Sequence, residues 1–191
     1  MKGNFIWVLD RSGSMGIYDS GSGPIEDWNG NVISNPNRIT IVKSECIKVI
    51  TQLKEADEFA IVTFGMSPEW TWFNARVPAS EGNKTAAVNF VKNMAANGWT
   101  PAYTALNKAC TLYGTDNDKL YFLCDGSPNY DSNAPGGFGG AATILSAFPG
   151  WFSGLKAAGC QLVCVCIGSD YGAAQFMQDL ANQNGGTYIK K

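Results

Sequence analysis

The sequence predicts an α/β fold: a mostly parallel, doubly wound central sheet between two layers of helices. Three observations predict it. Apolar runs too short for helices, at residues 4–9, 59–64, 119–124 and 161–167, read as strands covered on both faces. Between them lie segments whose apolar residues recur at helical spacing. Strands that alternate with helices along the whole chain need crossover connections, which are right-handed. The 191 residues suffice for one domain with a sizeable core, so 1–191 is read as a single domain.

The first strand, Asn4-Phe5-Ile6-Trp7-Val8-Leu9, runs straight into Asp10-Arg11-Ser12-Gly13-Ser14-Met15. Residues 16–37 form a long insertion rich in Gly, Asn, Ser and Pro, the residues of turns. Within it, Asn29-Gly30 between Trp28 and Val32 suits a small hairpin. Asp19, Glu26 and Asp27 of this loop are read as solvated carboxylates; as a second cation site they lack EF-hand spacing.

Ile39, Val42, Cys46, Val49, Ile50 and Leu53 set a helix over 38–53. After the strand at 59–64, residues 69–74 and Val77 read as an aromatic edge strand. Ser80 is an N-cap for a helix reaching about residue 97, with Val88, Val91 and Met94 inward. Pro101 suits a first helical turn, which makes Thr100 the N-cap of the next helix. Asp116-Asn117-Asp118 turns the chain into the strand at 119–124, which ends in Asp125-Gly126. A Gly-rich loop at 131–140 precedes a helix holding Ile144, Phe148, Phe152 and Leu155, expected to break or kink near Pro149-Gly150. The strand at 161–167, a helix over 173–184 capped by Gly185-Gly186, and a short strand at 187–189 complete the chain.

Composition removes several function classes. Histidine is absent, so there is neither a Ser-His-Asp or Cys-His catalytic unit nor an imidazole zinc site. The net charge of −2, with no basic run, offers no footprint for nucleic acid or an anionic membrane. The six cysteines form no CxxC pair and sit in or beside apolar runs, as buried free thiols do. No run is long enough to span a membrane, and the N-terminus carries no signal peptide; if the chain is complete, a reducing cytoplasm fits. If it is a piece of a longer protein, that inference lapses and the location is open. No P-loop or GxSxG elbow is present, and Gly137-x-Gly139-x-x-Ala142 follows a loop rather than a strand, so it is no dinucleotide fingerprint.

What remains is oxygen chemistry. Asp10 and Asp125 each end a buried strand, where loops of a doubly wound sheet form the ligand crevice. Ser12 and Ser14 share the first loop, and Thr100 supplies another hydroxyl. Two carboxylates and three hydroxyls suit a hard divalent cation and leave a coordination position for an outside ligand. Phosphoryl transfer with Asp10 as nucleophile is the enzymatic alternative. Such enzymes carry a second acid two residues on, and that position is Ser12. A purely structural role within a larger assembly is the other alternative. Trp99, Tyr103 and Tyr130 stand near these loops as candidate interface anchors, Trp99 equally as a residue packed beneath them. Asp170 reads as a solvated turn acid.

Asp10-x-Ser12-x-Ser14, Thr100 and Asp125-Gly126 together resemble a complete metal-ion-dependent adhesion site of the von Willebrand factor type A domain, the family of integrin I-like domains. The resemblance extends to "RITIVKSECIKVI", "GWTPAYTAL", "LYFLCDGSPN" and "FMQDLANQNGGTYI". It implies a Rossmann-like sheet of order 3-2-1-4-5-6 with one antiparallel edge strand. It also implies Mg²⁺ or Mn²⁺ held by Asp10, Ser12, Ser14, Thr100 and Asp125, with Ca²⁺ also admitted by such donors. A Glu or Asp carboxylate of a partner protein then completes the shell, in a non-enzymatic adhesion or adaptor role. Two departures are local: Trp99 stands where relatives often have glycine, and the 16–37 insertion is longer than many carry.

Overall fold

The computed structural model describes residues 2–19, 23–65 and 70–191, with only the backbone described at 70–73. Its six-stranded sheet contains β1 (Asn4–Asp10), β4 (Glu58–Phe64), β5 (Trp70–Pro78), β6 (Lys119–Cys124), β7 (Gln161–Cys166) and β8 (Thr187–Lys190). A two-stranded hairpin, β2 (Ile25–Glu26) and β3 (Val32–Ile33), lies in the long insertion. The helices are α1 (Arg38–Gln52), α2 (Glu81–Lys92), α3 (Ala102–Thr111), α4 (Ala141–Ala157) and α5 (Tyr171–Asn184).

The sheet order is β5-β4-β1-β6-β7-β8, which is 3-2-1-4-5-6 when its own strands are counted along the chain. β5 pairs antiparallel with β4 at one edge, and the other pairings are parallel. Glu69, assigned to the edge strand from sequence, lies outside the described residues.

The unbroken apolar strands follow from burial on both faces. In β1, Ile6 and Val8 join the core beneath α3, α4 and α5, while Trp7 and Leu9 join the core beneath α1 and α2. Cys164 and Cys166 face the α3–α5 side together, as their spacing of two requires. All six cysteines are free and buried. Among the described residues no helix is long and apolar enough to cross a membrane.

Caps explain three helix starts. Asn37, Ser80 and Asp170 accept from the backbone N–H groups of Thr40, Asn83 and Ala173 at 3.0, 3.3 and 2.6 Å. Asp170 is thus an exposed turn acid that also caps α5. Gly185, at φ 68°, ends α5 in the left-handed conformation that glycine takes most readily.

Four expectations need correction. α2 stops at Lys92 rather than near residue 97, because the chain beyond it turns back: Asn97 N–H donates to the Arg11 carbonyl at 2.8 Å. Met94 is still buried, but as a loop residue. α4 runs through Pro149 without a break. The lost N–H bond is offset by Phe148 and Phe152, fully buried and stacked 5.3 Å apart on its inner face. Asp19 and Asp27 are buried rather than solvated. Asp27 accepts from the Asn29 and Asn31 backbones and the Asn31 amide, so it closes the hairpin turn, and those bonds hold its carboxyl below the usual range. Thr100 does not cap α3, for a reason that belongs to the site.

Candidate functional site

The site lies at the C-terminal ends of β1 and β6, the point where chain connections depart to opposite sides of the sheet. β1 and β6 are direct neighbours, with Leu9 opposite Leu123, so Asp10 and Asp125 emerge side by side. Both are fully buried, as is Ser12 but for 1% of its surface.

A short chain of contacts links them. The Ser12 N–H donates to Asp10 Oδ1 at 2.7 Å, which turns the loop back over the strand end. Ser12 Oγ and Ser14 Oγ lie 3.1 Å apart, and the Ser14 hydroxyl donates to Asp125 Oδ1 at 2.8 Å. The Cys124 thiol donates to Asp10 Oδ2 at 3.0 Å. Burial, and after it the neighbouring Asp125 carboxylate, push the Asp10 carboxyl up to about 7; the Cys124 and Ser12 hydrogen bonds oppose that shift.

Thr100 enters through backbone. Gly13 N–H donates to the Gly98 carbonyl at 3.0 Å, joining the serine loop to the loop before α3. Thr100 N–H donates to Asn129 Oδ1 at 2.8 Å, and Asn129 N–H returns to the Thr100 carbonyl at 3.2 Å. That pairing leaves Thr100 buried in the loop and moves the start of α3 to Ala102, with Pro101 in a non-helical conformation. The capping role falls to Asp131, which accepts from both the backbone N–H and the hydroxyl of Thr104 at 2.8 and 2.7 Å. The three loops meet closely at Gly65, where a Cβ would lie 2.8 Å from the Arg11 carbonyl oxygen and 2.9 Å from that of Asn97.

Arg38 is the charged neighbour that the motif does not contain. The first residue of α1, it donates from one guanidinium NH to Asp125 Oδ2 at 2.8 Å. The distance from Arg38 to Asp125 in the chain gives no local signal of this pairing. Arg11, although inside the motif, lines a separate cavity of about 300 Å³ with Thr63, Phe90 and Met94.

At the rim, Trp99 is 65% exposed and Tyr130 53%, with ring centroids 6.5 Å apart. Phe138, also exposed, is bridged to Tyr130. Trp99 therefore does not pack beneath the loop. Tyr103 does turn inward, edge-on to Trp151 at 4.7 Å.

Among the described residues no three of His, Cys, Asp and Glu form a group that could hold a metal ion by themselves. A cation here would rest on two carboxylates and hydroxyls. The donor chemistry fits a hard divalent ion: oxygen only, two buried acids side by side, and a carboxyl whose ionisation is opposed by the other.

Comparison with known proteins bears on the fold and the family. Residues 33–189 match the von Willebrand factor type A domain; the match begins beyond β1 and the Asp10–Ser14 loop and includes Thr100 and Asp125. The chain is 25% identical over 193 residues to bovine (Bos taurus) inter-alpha-trypsin inhibitor heavy chain H4, covering 96% of this chain and 18% of that protein. It thus spans under one fifth of that relative's length. Among solved structures, a von Willebrand factor type A protein from Catenulispora acidiphila superposes with a TM-score of 0.67 at 18% identity, over 100% of this chain and 38% of the other. The pilus adhesin SpaC from Lactobacillus rhamnosus GG gives 0.66 at 18% identity, over 100% and 28%. At those identities the superpositions speak for the fold, and the family match for membership: this chain belongs to the von Willebrand factor type A domain family.

Proposed function

We propose that this chain is a protein-interaction module that engages an acidic side chain of its partner through a divalent cation held by Asp10, Ser12, Ser14, Thr100 and Asp125. The observation that carries the reading is the pair of fully buried carboxylates on neighbouring strand ends, both tied to one serine loop, Asp10 by the Ser12 N–H and Asp125 by the Ser14 hydroxyl. Burying two acids together is costly, and the Arg38 guanidinium pairs with Asp125 only, so a second positive charge beside Asp10 would stabilise the pair further. A bound Mg²⁺ or Mn²⁺ would supply that charge and a position for an outside carboxylate. Asp10 and Asp125 would provide its anionic oxygens, the serine loop would fix their spacing, and Thr100 would close the third side.

The surroundings suit a protein partner. Trp99, Tyr130 and Phe138 present large aromatic surface beside the site, the residue type that anchors interfaces. The family membership and the adhesin among the structural neighbours agree with an adhesion or adaptor role. We read the chain as non-catalytic, since Ser12 stands where an aspartate-nucleophile phosphotransferase needs its second acid.

The test is calorimetric titration of Mg²⁺ and Mn²⁺ into chelator-stripped protein, with Asp10→Ala and Asp125→Ala beside the wild type. One saturable site, lost in both variants, is the expected result. Wild-type protein that binds no divalent cation, alone or with a glutamate-containing peptide, would overturn the reading.

A further inference from the structure

We infer that Arg38 sets what this site prefers to hold: its guanidinium weakens binding of a divalent cation and strengthens binding of a carboxylate to the cation-loaded site. The inference rests on the proposed cation site. Arg38 reaches Asp125 from α1, an element that contributes none of the five motif oxygens. Its NH1 donates to Asp125 Oδ2 at 2.8 Å while the Ser14 hydroxyl takes Oδ1 at 2.8 Å, so Asp125 is already shared between a cation and a hydroxyl. The Arg38 side chain is 14% exposed and Asp125 not at all, so water screens the pair poorly.

The arginine is built in rather than resting on the surface. Its Nε is buried and has no hydrogen-bond partner among the described residues, so the guanidinium keeps a donor to spare. Gly168 leaves room for it: at φ 87°, a Cβ there would stand 2.7 Å from Arg38 Nε. Asp19 also borders this glycine, its Oδ2 3.1 Å from the same Cβ position. Asp19 is present whether or not Arg38 is charged, so Arg38 makes the site more positive by one unit in either case.

That unit acts twice. Before loading it opposes an incoming divalent cation and competes for Asp125. After loading it leaves the site one unit more positive than it would be without Arg38, which favours an anionic ligand over a neutral one. A site without it would hold the cation more tightly and have less attraction left for a partner. Arg38 is thus a specificity residue for the second ligand, at the expense of the first.

The experiment uses the whole 191-residue chain. Mg²⁺ is titrated by calorimetry into chelator-stripped wild type, Arg38→Gln and Arg38→Lys. The Mg²⁺-saturated proteins are then titrated with N-acetylglutamate α-amide, and with the glutamine counterpart as the uncharged control. Arg38→Gln is expected to bind Mg²⁺ roughly tenfold more tightly and the glutamate derivative roughly fivefold more weakly than wild type. Arg38→Lys, which keeps the charge but loses the planar fork, is expected between the two and nearer wild type in both titrations.

Arg38→Gln that binds Mg²⁺ no better than wild type, or that shifts both affinities in one direction, overturns the inference while leaving the cation site standing. Arg38→Lys behaving as Arg38→Gln would also overturn it, since charge would not be the agent. If neither wild type nor Arg38→Gln binds Mg²⁺, the cation site itself fails and the inference with it. Binding by Arg38→Gln alone would support the inference in its strongest form. Should Arg38→Gln not fold, the Arg38→Lys comparison with wild type decides: a shift in the opposite sense in either titration overturns the inference.

Discussion

Asp10→Asn should stabilise the metal-free protein at alkaline pH. Asp10 is fully buried beside Asp125, and its carboxyl is raised from an ordinary 3.8 to about 7. The folded state therefore holds the Asp10 proton more tightly than the unfolded chain does. Its contribution to stability is fully present below about pH 3.8 and lost as pH rises through about 7. At 1.36 kcal/mol per pH unit, ionisation costs the fold up to about 4 kcal/mol at pH 8. Asparagine can keep the Ser12 N–H bond at its oxygen and turn its amide toward the Cys124 sulfur, losing only a weak thiol bond. We expect a net gain of about 1–3 kcal/mol at pH 8 in chelator, vanishing below about pH 4. Urea unfolding of both proteins at pH 4, 6 and 8 measures it. In saturating Mg²⁺ the order should reverse, because the wild type gains binding energy that the variant lacks. An Asp10→Asn protein less stable than wild type at pH 8 in chelator would refute the argument that this carboxylate is strained by burial.

Three further outcomes follow from the loops around the site. Gly65→Ala should lower stability by about 1–3 kcal/mol in thermal unfolding, since its Cβ meets two backbone carbonyls that cannot swing aside. Asp131→Ala removes the acceptor of the Thr104 N–H, the Thr104 hydroxyl and the Asn133 N–H. It should cost about 2–4 kcal/mol in urea unfolding and weaken Mg²⁺ binding through the loosened α3 start. Trp99→Ala should change stability by less than about 0.5 kcal/mol, because the ring is 65% exposed, while lowering affinity for a captured partner in surface plasmon resonance.

The sheet was legible because burial on both faces writes itself as uninterrupted apolar strands. Ile6, Val8 and Trp7, Leu9 feed opposite cores, and nothing short of that requires all four to be apolar. Asp10 and Asp125 were legible for the same reason: each is a charge at the end of such a run. The parts that escaped depend on contacts between distant segments. Thr100 looked like a helix cap because Thr-Pro is a good local start. Asn129 instead holds its backbone, and Asp131, further along the same loop, caps the helix. Pro149 looked like a break, but Phe148 and Phe152 hold the helix together through packing that no local pattern reveals. Arg38 reads as an ordinary first-turn residue until α1 is laid against the sheet.

The six cysteines bear on how the protein can be handled and followed. All are free and inside the fold, and burial raises their thiols, that of Cys160 to about 12. Reactive thiolate is therefore scarce in the native state. An alkylating reagent will find these sulfurs mainly when the chain opens, so the labelling rate of each cysteine clocks the opening of the segment that holds it. Cys124, wedged between Asp10 and the Gly126 carbonyl, then reports directly on the site: its protection against alkylation should rise when the loops close and fall when they part.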